Sequence, residues 1–94
     1  EFLKIRENTV WNYSYFPVIF ESEDILKEVV AKLEEQDIYT RRYFFPSLNT
    51  LEYIEYKPTP ISESISKRVL CLPLFTDLQE QDIKTIAATI NSLV

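Results

Sequence analysis

The chain has 94 residues, a net charge of −5 and 46% hydrophobic residues, which describes one domain, residues 1–94, with enough apolar material for a core. Its pI of about 4.7 argues against any partner held by attraction to phosphate backbones, so no nucleic acid is expected. With no histidine and no glycine, the commonest general base, the commonest zinc ligand and the Gly-rich phosphate loops are all excluded, and no metal site is expected.

No apolar stretch approaches the roughly 20 residues that cross a bilayer, so no membrane partner is expected either. The single cysteine, Cys71, sits in an apolar run and is expected as a small core residue in a reducing, cytoplasmic compartment.

In chain order, Glu1 to Asn12 mix charge and apolar groups without a clear period and could form a helical end. Tyr13 to Phe20 are rich in aromatic and β-branched residues and predict a strand, with Pro17 marking an edge or a bulge. Ser22 supplies an N-cap, with Glu23 and Asp24 behind it at the positive end of a helix. Ile25, Leu26, Val29, Val30 and Leu33 form its buried face.

Ile38 to Phe45 predict a second strand, ended by Pro46, and Ser47 to Pro60 an irregular connection. A short helix is expected next, capped by Ser62, with Ile61, Ile65 and Val69 inward. Val69 to Leu74 predict a third strand, buried on both faces by its near-continuous apolar run. A last helix, opened by Asp77 to Gln79, is expected to turn Ile83, Ile86, Ala87, Ile90 and Val94 inward. The expected fold is therefore α+β: a small sheet of about three strands with helices packed on one face.

Adjacent arginines are unusual in a core strand. Neighbouring strand residues point to opposite faces, so at most one of Arg41 and Arg42 can meet a helix-covered core. One of them could grip a phosphate or carboxylate through its fork of donors. The alternative is surface charge balanced by Glu34, Glu35 or Glu52. Tyr43, Phe44 and Phe45 cannot all point inward either, so a leftover ring is expected in an interface or a ligand pocket. Trp11, Asn12, Tyr13 and Tyr15 form a second aromatic group, either a cleft or a sheet-edge cluster. Paired carboxylates such as Glu34–Glu35 and Glu80–Asp82 are helix-end and solvated charges.

Four segments in order resemble the C-terminus of a known family: Tyr13-Ser14-Tyr15-Phe16-Pro17, the run Thr40 to Asn49, the run Arg68 to Leu74, and Leu78-Gln79-Glu80-Gln81-Asp82-Ile83. The family is the DegT/DnrJ/EryC1/StrS sugar aminotransferases, and the likeness runs from about Asn12 to Val94. It implies the C-terminal small domain of a homodimeric, pyridoxal-phosphate-dependent enzyme of the aspartate-aminotransferase fold. Such an enzyme moves an amino group, typically from glutamate, to a nucleotide-linked keto-sugar, here a dTDP-linked keto-6-deoxy sugar.

The resemblance places the Schiff-base lysine and most of the cofactor site in a large N-terminal domain. No lysine of this chain lies in a matching context, so no catalytic residue is assigned and the chain alone is expected to be inactive. Many relatives have His-Tyr where this chain has Arg42-Tyr43, in a strand near the sugar-nucleotide pocket. Arg42 and Tyr43, then Arg41, are therefore the expected substrate contacts. An apolar face around Tyr43, Phe45 and Leu48 is expected to drive self-association of the isolated chain. The rival expectation is a stand-alone α+β module that binds an anion or a protein.

Overall fold

The computed structural model describes residues 1–12 and 14–94. Strand β1 spans Phe16–Ile19, shorter than the aromatic run predicts. Tyr13, at the start of that run, lies outside the described residues. Helix α1 follows at Glu23–Glu34, and the Ser22 hydroxyl accepts the Ile25 N–H at 3.2 Å, the cap its position predicts.

The end of α1 shows how a chain without glycine closes a helix. Asp37 takes φ +59°, a conformation that Asp tolerates better than most side chains. The Ile38 N–H then donates to Leu33 O at 2.9 Å and the Asp37 N–H to Glu34 O at 3.0 Å. This is a Schellman closure, and Ile38 packs beside the core that includes Leu33.

Strand β2 is only Arg41–Arg42, far less than the predicted Ile38 to Phe45. Two backbone reversals trim it: Asp37 on one side and Phe44, at φ +48°, on the other. The connection from Ser47 to Thr59 is irregular, as expected, apart from a 3-10 turn at Leu48–Thr50.

Helix α2 spans Pro60–Arg68 with Thr59, not Ser62, at the N-cap position. Proline suits the first helical position because its missing N–H is not needed there. The Glu63 carboxylate takes the Thr59 N–H at 3.2 Å, while the Ser62 hydroxyl shares a hydrogen bond with Ser47 at 2.8 Å. Ile61, expected inward, is 76% exposed, and the residue that α2 buries is Ser66.

Helix α2 runs directly into β3, Val69–Leu72. Helix α3, Glu80–Leu93, starts later than expected, with Gln79 as N-cap residue. Its inward face is Ile86 with Ile90 and Leu93, whereas Ile83 and Val94 are exposed.

The sheet order is β1-β3-β2 and both pairings are antiparallel. β3 is the centre strand, which explains its burial on both faces. Pro17 sits opposite Cys71 in an outer strand, as its missing N–H requires. The first residues are extended rather than helical: Phe2 bridges Val18, and the Ile19 N–H donates to Glu1 O at 2.8 Å.

α1 and α3 cover one face of the sheet. Between them and the strands lie Val18, Phe20, Leu26, Val29, Leu33, Leu70 and Ile86. Each buried aliphatic or aromatic side chain of this kind contributes about 1.5–3 kcal/mol. α2 stands at the end of the sheet where β3 begins. There the Arg68 guanidinium donates to Phe20 O at 2.7 Å and the Phe20 N–H to Arg68 O at 2.9 Å, tying the exit of β1 to the entry of β3.

Candidate functional site

Alternation along three short strands divides the side chains between two faces. Val18, Leu70 and Leu72 join the core under the helices, and Arg42 lies on that side too, lining a depression with Leu26, Val30 and Leu70. Pro17, Ile19, Val69 and Cys71 take the other face, together with Arg41 and Tyr43. The sequence-level inference that the two arginines part company is therefore what the sheet does.

Arg42 is the arginine with one of its nitrogens already engaged. Its Nη2 donates to Ser66 O at 3.3 Å and to Lys67 O at 3.4 Å, the carbonyl end of α2, where the helix dipole favours a cation. Its Cζ lies 4.1 Å from the centre of the Phe45 ring, and its Nε is buried without a partner among the described residues. Arg41, by contrast, is exposed and has no ion-pair partner among the described residues.

The face turned away from α1 and α3 carries two adjoining depressions. One, about 350 Å³, is walled by Leu3, Trp11, Tyr15, Pro17, Tyr43 and Val69, with Ile65 of α2. The other, about 220 Å³, is walled by Tyr39, Arg41, Cys71, Pro73 and Leu74. Ser14 and Tyr15 line both. Tyr15 stands edge-on to Tyr43 with ring centres 5.4 Å apart, and Tyr43 stands edge-on to Phe44 at 4.6 Å.

Tyr15 and Tyr43, which the sequence suggested in separate aromatic groups, thus meet. Tyr15 was expected in a cleft or a sheet-edge cluster, but not beside Tyr43. Its signal was the odd-even pattern that sets it on the same side as Pro17. Trp11 lies against Phe16, 6.0 Å between centres.

Cys71 is buried under this face, as expected for a core thiol. Burial pushes its pKa above the usual value, and the nearby positive charge of Arg41 pulls weakly the other way. The thiol is therefore neutral and packed. Among the described residues no cluster of three acidic, Cys or His side chains could hold a metal ion, and no helix is long and apolar enough to cross a membrane. Among the described residues the face offers one unpaired guanidinium, that of Arg41, beside a tier of aromatic rings: a place for a ligand with an anionic part and a flat part.

A model of the DegT/DnrJ/EryC1/StrS aminotransferase family matches residues 2–91. A dTDP-4-amino-4,6-dideoxy-D-glucose transaminase from Escherichia coli is 33% identical over 90 residues, covering 84% of this chain and 24% of its own length. The protein of the same name from Shigella dysenteriae is 34% identical over 91 residues, covering 87% of this chain and 24% of itself. The chain thus spans about a quarter of the length of the curated relatives it matches.

Among solved structures, the aminotransferase TlmJ from Streptoalloteichus hindustanus has the same fold, with a TM-score of 0.83 at 19% identity over 97% of this chain and 25% of that one. With a family model matching it nearly from end to end, this chain belongs to the DegT/DnrJ/EryC1/StrS aminotransferase family.

Proposed function

We propose that residues 1–94 are the C-terminal small domain of a pyridoxal-phosphate-dependent aminotransferase. The whole enzyme moves an amino group from glutamate to a dTDP-linked keto-6-deoxy sugar, in the cytoplasm and as a homodimer. The observation that carries this is the identity of 33% and 34% with two dTDP-4-amino-4,6-dideoxy-D-glucose transaminases over most of the chain.

The described residues do not fit the cofactor. Every lysine is exposed, and Lys27, the one with the shortest ion pair, bonds Glu23 at 2.9 Å, which raises its pKa. An amine that must lose its proton to react needs the opposite setting. We therefore assign the cofactor to a larger N-terminal domain and route no chemical step through this chain.

What this domain supplies is substrate contact. Arg41 and Tyr43 are proposed as direct contacts, Arg41 to the diphosphate and Tyr43 to a ring. Arg42, whose guanidinium is engaged by α2 and Phe45, is proposed as the residue that fixes the strand from behind. It reaches the substrate only in a state where the Ser66 and Lys67 carbonyls have released it.

The test uses the polypeptide encoded together with the coding sequence upstream of Glu1, purified with pyridoxal phosphate. Glutamate should bleach the visible band of the bound cofactor, and a dTDP-linked keto-6-deoxy sugar should restore it. Absence of cofactor, or a band indifferent to glutamate, would leave the anion- or protein-binding module as the better account.

A further inference from the structure

Phe44 sits in a conformation that its side chain does not favour. Its φ is +48°, a left-handed region that a bulky L-residue avoids because Cβ crowds the following carbonyl. Among the described residues, the other two at positive φ are Asn8 and Asp37, both of the polar type that tolerates it. Asp37 has a visible reason, the closure of α1. Phe44 has no compensation from burial, since it is 71% exposed.

A strained residue whose ring is presented to solvent points to a contact made with something else. The ring is placed rather than loose: it stands edge-on to Tyr43, which stands edge-on to Tyr15. The three rings make one aromatic tier. Tyr15, at its far end, lines the same depression as Arg41, whose positive charge is unpaired among the described residues.

We propose that Phe44 is a specificity-determining contact that stacks on the thymine ring of a dTDP-linked substrate. This rests on the function proposed above, from which it takes the substrate class, and it adds a residue that the family resemblance did not supply. A nucleobase offers a flat π face, which aromatic side chains stack on. The diphosphate beside it offers the oxygens that a guanidinium fork takes in pairs. The strained turn after β2 turns Phe44 outward where an unstrained continuation would have carried it along the strand.

The experiment uses the family-length protein as wild type, Phe44→Gly and Phe44→Tyr. Glycine adopts positive φ freely, so it removes the ring without disturbing the turn. Affinity for dTDP alone is measured by calorimetry, KM by steady-state kinetics for each substrate, and Tm by calorimetric scan. Phe44→Gly should weaken dTDP binding about tenfold and raise KM for the nucleotide sugar in step. KM for glutamate should stay unchanged and Tm should not fall. Phe44→Tyr should keep wild-type affinity.

An unchanged dTDP affinity in Phe44→Gly overturns the proposal, even if the sugar KM rises, because the contact would then be to the sugar ring. A fall in Tm with both KM values raised together overturns it too, since Phe44 would then be structural only. A wild-type protein that binds dTDP through Phe44 but transaminates nothing would sink the enzyme assignment and leave this contact standing. No dTDP binding at all overturns the contact.

Discussion

The guanidinium of Arg42 lies 4.1 Å from the centre of the Phe45 ring, three residues along a chain that has reversed in between. The same group donates to Ser66 O and Lys67 O. One side chain therefore joins β2, the turn that follows it and the carbonyl end of α2. Arg42→Ala should cost about 1–3 kcal/mol in chemical denaturation, the range for a charge-assisted hydrogen bond lost from a part-buried site. Arg42→Lys should recover less than half of that, because an ammonium has no planar face to lay on Phe45. Equal stability of the alanine and wild-type chains would show that the clasp contributes nothing.

Ser22 caps α1, and α1 supplies Leu26, Val29 and Leu33 to the core. Loss of its hydroxyl leaves the Ile25 N–H without its partner. Ser22→Ala should lower stability by about 1 kcal/mol, while Ser22→Asp should hold close to wild type. Thermal denaturation of the three chains measures it. A serine-to-alanine change with no effect would mean that water replaces the cap at no cost.

How much of this was legible in the residues depends on how local the cause is. α1 could be read almost to the residue because cap, first-turn acids and apolar period all agree. β3 was legible as a buried strand, though the reason is its central place between two antiparallel neighbours. β2 was read several residues too long, because apolar and aromatic content says nothing of the positive φ at Asp37 and Phe44 that trims it.

α2 was mis-capped for a similar reason. Ser62 has the right chemistry for a cap, but Pro60 fixes the first helical turn and Glu63 takes the Thr59 N–H. At the site, alternation correctly separated the arginines. Which of them was free depended on the Ser66 and Lys67 carbonyls, more than twenty residues away, and no strand pattern contains that.

Cys71 is buried and its thiol is held above its usual pKa by that burial. The unfolded thiol ionises near pH 8.5, and the folded one ionises less readily. The unfolded state then binds fewer protons than the folded state, so this contribution is fully present below about pH 8.5 and is lost as pH rises from there through the folded pKa. Stability of the wild-type chain should therefore decline as pH rises above about 8.5, more than that of Cys71→Ala. Alkylation by iodoacetamide should be slow in the folded chain and fast in urea. Rapid modification of the folded chain would contradict the burial.

The connection between β2 and α2 is well tied. The Asn49 side chain donates to Lys57 O at 2.7 Å, the Ser47 hydroxyl donates to Asn49 Oδ1 at 2.6 Å, and the Thr50 hydroxyl donates to Ser47 O at 2.7 Å. Yet Phe45 is 47% exposed, Leu48 69% and Ile61 76%. Tyr43, expected in the same patch, is half-buried against Tyr15. Apolar groups held on an ordered loop lose little further freedom on contact, so burying them against another surface is favourable. The isolated 94-residue chain should therefore show a weight-average mass that rises with concentration in sedimentation equilibrium. Leu48→Asp should shift it back toward monomer without lowering Tm, because Leu48 is largely exposed in the folded chain. A wild-type chain that stays monomeric at millimolar concentration would show that this surface needs a different partner, or none.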